Sequence, residues 1–195
     1  MIRVVGIAAS TGGPAALQKI IPRLPAGFPA AVLVVQHMPA GFTRSLAERL
    51  ASLSALPVRE ASEGERVAGG EVLVAPAARQ MWVVREEGGV KVRLGEEGPL
   101  KSIYRPSADV LFTSLAEVYG PEVLAVVLTG MGKDGLVGLA RVKEKGGQVL
   151  AQDRSSSVVY GMSRAAVDAG LADAVVALEE MAAVIVSRVL KNLRF

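Results

Sequence analysis

The sequence predicts an α/β protein: a Rossmann-like, doubly wound, mostly parallel sheet with helices on both faces and a β-hairpin insertion. Three observations carry that prediction. Short, uninterrupted apolar runs recur along the chain, as in strands buried on both faces. Stretches with apolar residues at helical spacing follow most of those runs. Glu86-Glu87-Gly88-Gly89 joins two strand-like runs directly, which marks a hairpin.

Val4 to Ala9 is the first run, and Ser10-Thr11-Gly12-Gly13-Pro14 ends it. Pro14 suits the first turn of a helix whose Ala16, Leu17, Ile20, Ile21 and Leu24 share one face. Ala31 to Val35 is the second run, closed by Gln36-His37-Met38-Pro39. A helix from about Thr43 to Leu53 follows, with Thr43 or Ser45 as the expected cap. Val72 to Ala75 is a third, short run. Met81–Arg85 and Val90–Leu94 form the hairpin, an insertion or edge feature. Pro106-Ser107-Ala108-Asp109 starts a helix to about Tyr119, and Glu122 to Thr129 is the most hydrophobic strand. A glycine loop over Gly130 to Gly135 leads into a helix to Lys145. Gly147 to Ala151 is a further strand, and the last third reads as largely helical. With no repeat and no linker, residues 1–195 are expected to form one domain.

Composition removes several functions. Hydrophobic residues make up 51% and charged residues 21%, which excludes disorder. Gly and Pro are frequent but follow no period. A net charge of +3 from scattered bases, with 4% aromatics, provides no basic stacking stripe for nucleic acid. Zero Cys and one His exclude disulfides, a thiolate nucleophile and a multi-histidine metal centre, and no cofactor is expected. The uncharged stretch between Arg23 and Arg44 contains Pro25, Pro29 and Pro39 with Gln36 and His37, so it reads as a strand with turns rather than a membrane span. Gly12-Gly13-Pro14 interrupts any signal-peptide core, and a cytoplasmic location is expected.

In open α/β sheets, sites lie beyond the carboxyl ends of the strands. Ser10 stands at such an end, next to helix amides that favour developing negative charge. Its structural alternative is an N-cap serine. His37, the only histidine, ends the second strand and is the one side chain whose ordinary pKa suits a general base near neutrality. A core histidine is its alternative. The five aspartates are Asp109, Asp134, Asp153, Asp168 and Asp173. Asp109 reads as a first-turn helix residue, while Asp168 and Asp173 belong to a helix and its exit. Asp134 and Asp153 stand at strand ends. Asp134 is placed either to orient an imidazole or to cap a helix. A second functional reading uses Gly130-x-Gly132-x-x-Gly135 with Asp153 as a nucleotide-binding fingerprint. It leaves Ser10 and His37 without a role.

Five blocks, in order from about residue 3 to 190, resemble the chemotaxis methylesterase family, the CheB catalytic domain. They are Ala9-Ser10-Thr11-Gly12-Gly13-Pro14; Gln36-His37-Met38-Pro39-Ala40-Gly41-Phe42-Thr43 with Ala47-Glu48-Arg49-Leu50; Arg105-Pro106-Ser107-Ala108-Asp109-Val110-Leu111-Phe112; Leu128-Thr129-Gly130-Met131-Gly132-Lys133-Asp134-Gly135; and Val158-Val159-Tyr160-Gly161-Met162. The resemblance implies a Ser-His-Asp triad that hydrolyses glutamyl methyl esters on chemoreceptors and deamidates certain receptor glutamines. Matched by motif, that triad is Ser10, His37 and Asp134, with Ser10 attacking, His37 moving the proton and Asp134 orienting His37. Thr11 and Met131 are expected to line the cleft, and amides near His37 and Met131 to form the oxyanion site. Arg105 is expected in a structural ion pair, with contact to an acidic receptor surface as its alternative. The implied partners are the cytoplasmic domain of a methyl-accepting chemoreceptor and a separate receiver domain or regulator, with no nucleic acid and no membrane insertion. The sequence departs from the family pattern in three places. Ser163 replaces the usual proline after Gly161-Met162. The block Ala75 to Met81 lacks the family's frequent histidine. No aspartate precedes Asp109, so no receiver domain is expected within this chain.

Overall fold

The computed structural model describes residues 1–191. Its frame is a seven-stranded, fully parallel sheet ordered β3-β4-β2-β1-β7-β8-β9. The strands are β1 (Val4–Ala9), β2 (Ala31–Gln36), β3 (Val58–Glu60), β4 (Val72–Val74), β7 (Val123–Val127), β8 (Gln148–Gln152) and β9 (Ala174–Val176). Between β4 and β7 the chain forms β5 (Gln80–Glu86) and β6 (Gly89–Gly95), which pair antiparallel with each other, while Lys91 of β6 also bridges antiparallel to Arg66. The hairpin is therefore an insertion with its own two-stranded sheet.

Every residue of β1, β2 and β7 is buried, which is why their sequences are continuous apolar runs. Alternate side chains serve opposite faces. Val5, Ile7 and Ala9 of β1 with Val32 and Val34 of β2 pack beneath α1 (Gly13–Ile20), α2 (Phe42–Ala51) and α6 (Leu178–Leu190). Val4, Ala8, Leu33 and Val35 meet α3 (Ala108–Tyr119), α4 (Leu136–Glu144), α5 (Met162–Asp168) and the hairpin residues Met81, Val83 and Val92. Helix α3 closes on the sheet at Gly6, where a Cβ would lie 2.7 Å from Leu115 Cδ1.

Several element boundaries differ from expectation. Helix α1 ends at Ile20 and tightens into a 3-10 turn over Ile21–Arg23. Neither Thr43 nor Ser45 caps α2: Gly41 occupies that position at φ 86°. Thr43 is drawn inward instead, donating to Glu60 Oε1 (2.6 Å) and accepting from the Ala77 amide (3.0 Å). The edge strands β3 and β9, three residues each, were not anticipated: Val58-Arg59-Glu60 has no apolar run, and Ala174-Val175-Val176 is a short apolar run inside a stretch that reads as helical. The last third thus holds a strand between its two helices.

The chain winds outward from β1 through β2 on one side and returns through β7 on the other. The crevice between the carboxyl ends of β1 and β7 is the switch point at which doubly wound sheets place their sites.

Candidate active site

Three strand ends meet at that crevice. In the sheet register Ala9 lies beside Gln36 and Ala8 beside Val127. Ser10 and His37 are consequently the first residues past two paired strands, at equal height. The His37 amide donates to Ala9 O (3.0 Å), and the Ser10 amide donates to Thr129 O (3.0 Å), so both loops leave the sheet in fixed directions.

Ser10 does not cap α1. Gly12 does, at φ 84°, while Ser10 O accepts from the Gly13 amide (2.8 Å) and closes the turn. The turn requires glycine at Gly12, and space requires it at both positions. A Cβ at Gly12 would meet Val158 Cβ at 2.7 Å, and one at Gly13 would meet Gln36 Oε1 at 1.9 Å. Gln36 is buried, and its Nε2 donates to both Ser10 O (2.9 Å) and His37 O (3.0 Å). One side-chain amide thus joins the two loops.

Asp134 is buried in the loop after β7, with 1% of its side chain exposed, against 14% for His37. His37 Nε2 lies 2.7 Å from Asp134 Oδ2. That bond assigns the proton on the neutral ring to Nε2 and leaves Nδ1 as the nitrogen available to a hydroxyl. The carboxylate also accepts from Ser107 Oγ (2.8 Å) and from the amides of Ala108 (2.7 Å) and Asp109 (3.2 Å). Burial pushes the Asp134 carboxyl up. The bonds from His37, the Ala108 amide, the Ser107 hydroxyl and the Asp109 amide outweigh that, holding it below the ordinary aspartate range. It stays ionised beside the imidazole. Asp134 does not cap α4, where Gly135 fills that position, but its carboxylate takes the first two amides of α3.

The structure thus joins His37 to Asp134 and sets Ser10 on the adjoining strand end. Ser10 Oγ has no hydrogen bond to His37 among the described residues, as is frequent in serine hydrolases without substrate. Gly130 brings the third loop against Ser10: a Cβ there would lie 2.8 Å from Ser10 Cβ. Met131 follows and is 71% exposed, and Thr11 is exposed on the opposite lip. The amides of Thr11 and Met131 donate to no acceptor among the described residues, whereas that of His37 is engaged by Ala9.

The nucleotide reading of the same loop is not favoured. Gly130 faces Ser10, Gly132 faces the Tyr104 hydroxyl, and Gly135 faces Ala108 Cβ. These approaches account for the glycines without a pyrophosphate. Asp153 bonds the serines that follow it, Ser155 and Ser156. Arg105 departs from expectation: it forms no ion pair among the described residues and is exposed. Ser163, at the family's proline position, is fully buried in the first turn of α5 and donates to Val127 O (3.2 Å), tying that helix to β7.

Several site residues escaped sequence reasoning. Gln36 gave one faint signal, as a polar residue closing an apolar run. Ser107 gave another, because it lies in a recognisable block. Gln80 and Tyr104 gave none. Gln80, on β5, donates to Tyr104 O (2.7 Å) and accepts from the Ser107 amide (2.9 Å). Through it the hairpin braces the segment that holds Asp134. The Tyr104 ring stacks on His37, with centroids 4.8 Å apart and planes 3° from parallel.

The geometry defines a class: doubly wound α/β proteins with an imidazole–carboxylate pair at the switch point and a serine on the neighbouring strand end. A family model described as CheB methylesterase matches residues 5–185, and the chain belongs to that family. It is 54% identical over 188 residues to the protein-glutamate methylesterase/protein-glutamine glutaminase of Moorella thermoacetica, covering 96% of this chain and 44% of that protein. It is 53% identical over 186 residues to a protein of the same name, numbered 2, from Methanosarcina acetivorans, covering 92% of this chain and 51% of that one. The chain therefore spans about half the length of the curated relatives it matches. The crystal structure of the Thermotoga maritima CheB methylesterase catalytic domain superposes with a TM-score of 0.92 at 42% identity, covering 96% of this chain and 99% of that one.

Proposed function

We propose that residues 1–195 form one catalytic domain, a serine esterase that removes methyl groups from glutamyl esters on the cytoplasmic domain of a chemoreceptor and deamidates receptor glutamines. The observation that carries this reading is the 2.7 Å bond from His37, the first residue beyond the strand that pairs with the Ser10 strand, to a buried, ionised Asp134. The double name of the relatives supports both activities.

In this mechanism Ser10 Oγ attacks the ester carbonyl carbon while its proton passes to His37 Nδ1. Asp134 stabilises the imidazolium that results. The Thr11 and Met131 amides receive the oxyanion of the tetrahedral intermediate. Its collapse breaks the bond to methoxide, which leaves as methanol with the proton from His37. Water, deprotonated by His37, then attacks the glutamyl-serine ester. The products are the receptor carboxylate and free Ser10. With a glutamine substrate the first leaving group is ammonia. None of the helices among the described residues is long and apolar enough to cross a membrane. A substrate on the cytoplasmic domain of a receptor makes the cytoplasm the expected place of action.

The test is methanol release from a methylated receptor cytoplasmic domain. Ser10→Ala is expected to reduce it to background with the melting transition retained, and a variant keeping half the wild-type rate would refute the nucleophile. Acetyl phosphate is expected to leave the rate of this chain unchanged, because the phosphoacceptor of a receiver domain is an aspartate and none precedes Asp109.

A further inference from the structure

We propose that Tyr104 is a positioning residue for His37, holding the imidazole by its face and favouring its charged form during proton transfer; this rests on the esterase reading above. A bond to Asp134 fixes one point of the ring in its own plane. It leaves the ring free to tilt about the line from Cβ to that point, and tilt swings Nδ1 away from Ser10. A parallel aromatic surface removes this freedom. Tyr104 supplies one, 4.8 Å away between centroids and 3° from parallel. Together the bond and the stack define both where Nδ1 lies and how it is aimed.

The tyrosine is itself anchored. Its carbonyl accepts from the buried Gln80 amide (2.7 Å), its own amide donates to Ser102 Oγ (3.1 Å), and the next carbonyl, of Arg105, accepts from the Ala78 amide (3.2 Å). Its hydroxyl end lies over Gly132 of the Asp134 loop, where a Cβ would come within 3.1 Å of Oη. Three residues further on, the same segment supplies the Ser107 hydroxyl to Asp134. One stretch of chain therefore sets both restraints on His37.

The stack also acts differently on the two protonation states. An aromatic face attracts a cation within about 6 Å of its centroid. When the Ser10 proton reaches Nδ1, His37 becomes that cation. Tyr104 thus stabilises the charge-separated stage more than the resting one, so it raises kcat and leaves substrate binding alone.

The experiment compares Tyr104→Leu and Tyr104→Phe in the full chain, with Tyr104→Met as a second variant without a π face should the leucine variant melt early. Methanol release gives kcat and KM, and the rate at which a fluorophosphonate labels Ser10 reports activation without any receptor. The expected result is a fall of about tenfold in kcat for Leu or Met. KM should stay within about twofold, the labelling rate should fall in parallel, and Phe should recover at least about half of both rates. The inference is overturned by Leu with wild-type kcat and labelling, by equal loss in Phe and Leu, or by a loss confined to KM. A wild-type chain that labels normally but releases no methanol refutes the receptor reading alone, and the labelling rates still decide the role of Tyr104. A wild-type chain that does neither refutes both.

Discussion

The loops after β7 and β8 follow neighbouring strands, and each carries an aspartate close to its strand end, yet the two acids differ completely. Asp134 takes its hydrogen bonds from residues 25 to 97 positions away, on two other parts of the chain. Asp153 takes its side-chain bonds from residues two and three positions on. Both carboxyls are held below the ordinary aspartate range. For Asp134, hydrogen bonds led by that from His37 overcome a burial that opposes ionisation; for Asp153 the bonds from Ser155 and Ser156 suffice on an open surface. A depressed carboxyl does not distinguish the two. The distance along the chain from which the partners come does, because only long-range partners bind separate strand ends into one site.

The second loop is a support for the first. Gln152 accepts from the Thr129 amide (2.8 Å) and donates to Ser156 O (2.8 Å). Thr129 Oγ1 accepts from the Val159 amide (3.0 Å) and donates to Thr11 O (2.9 Å).

This contrast can be broken or sharpened at four points. Asp134→Asn should cut kcat by about 10³–10⁴-fold, because an amide in that position favours the wrong imidazole tautomer; a loss below tenfold would place Asp134 with Asp153. Ser107→Ala should cost about 1.5–3 kcal/mol in urea unfolding, as a hydroxyl bonded to a buried charge is removed, with a smaller kcat loss than Asp134→Asn. Unchanged stability would mean that the amides alone hold the carboxylate. In acid, Asp134 contributes stability above its unfolded pKa of about 3.9 and loses it as pH falls through its lower folded value. Neighbouring Asp109, pushed up mainly by burial, titrates in the opposite sense. The difference in unfolding free energy between wild type and Asp134→Asn cancels the part of the Asp109 effect that burial sets, leaving Asp134 and its charge coupling to Asp109, and it should shrink as pH drops below about 4. A difference that grows would reverse the assignment. Asp153→Asn should change stability by no more than about 0.5 kcal/mol and activity by less than about twofold. The same variant should leave NAD titrations flat, as they are for wild type; a micromolar dissociation constant that it abolishes would restore the nucleotide reading.

The central frame and the three candidate residues at the strand ends were legible because each rests on a local signal. Buried parallel strands read as apolar runs, helices as periodicity, and a scarce residue type at a strand end narrows the choice to one His and two aspartates. What was not legible depends on contacts that no local pattern encodes. The three-residue edge strands are held by their neighbours. Thr43 gives up a capping role because Glu60, from a strand that the sequence did not reveal, reaches it first. Gln80 and Tyr104 matter only once the hairpin folds over the 104–107 segment. Arg105 was expected to pair with a charge, and its block is kept close to the site by backbone bonds instead.

The pairing of Ala9 with Gln36 sets a rule for tolerated changes in chain length. Each strand residue advances the chain about 3.3 Å and reverses the side to which the next side chain points. A single insertion within β1 or β2 would carry Ser10 or His37 out of reach and turn it to the other layer. Insertions at the exposed turn of the hairpin, Glu87-Gly88, meet no such limit, since a Cβ at Gly88 would find nothing within 4 Å. Among natural variants of this domain, length differences should therefore gather at that turn and be missing from residues 4–10 and 31–37.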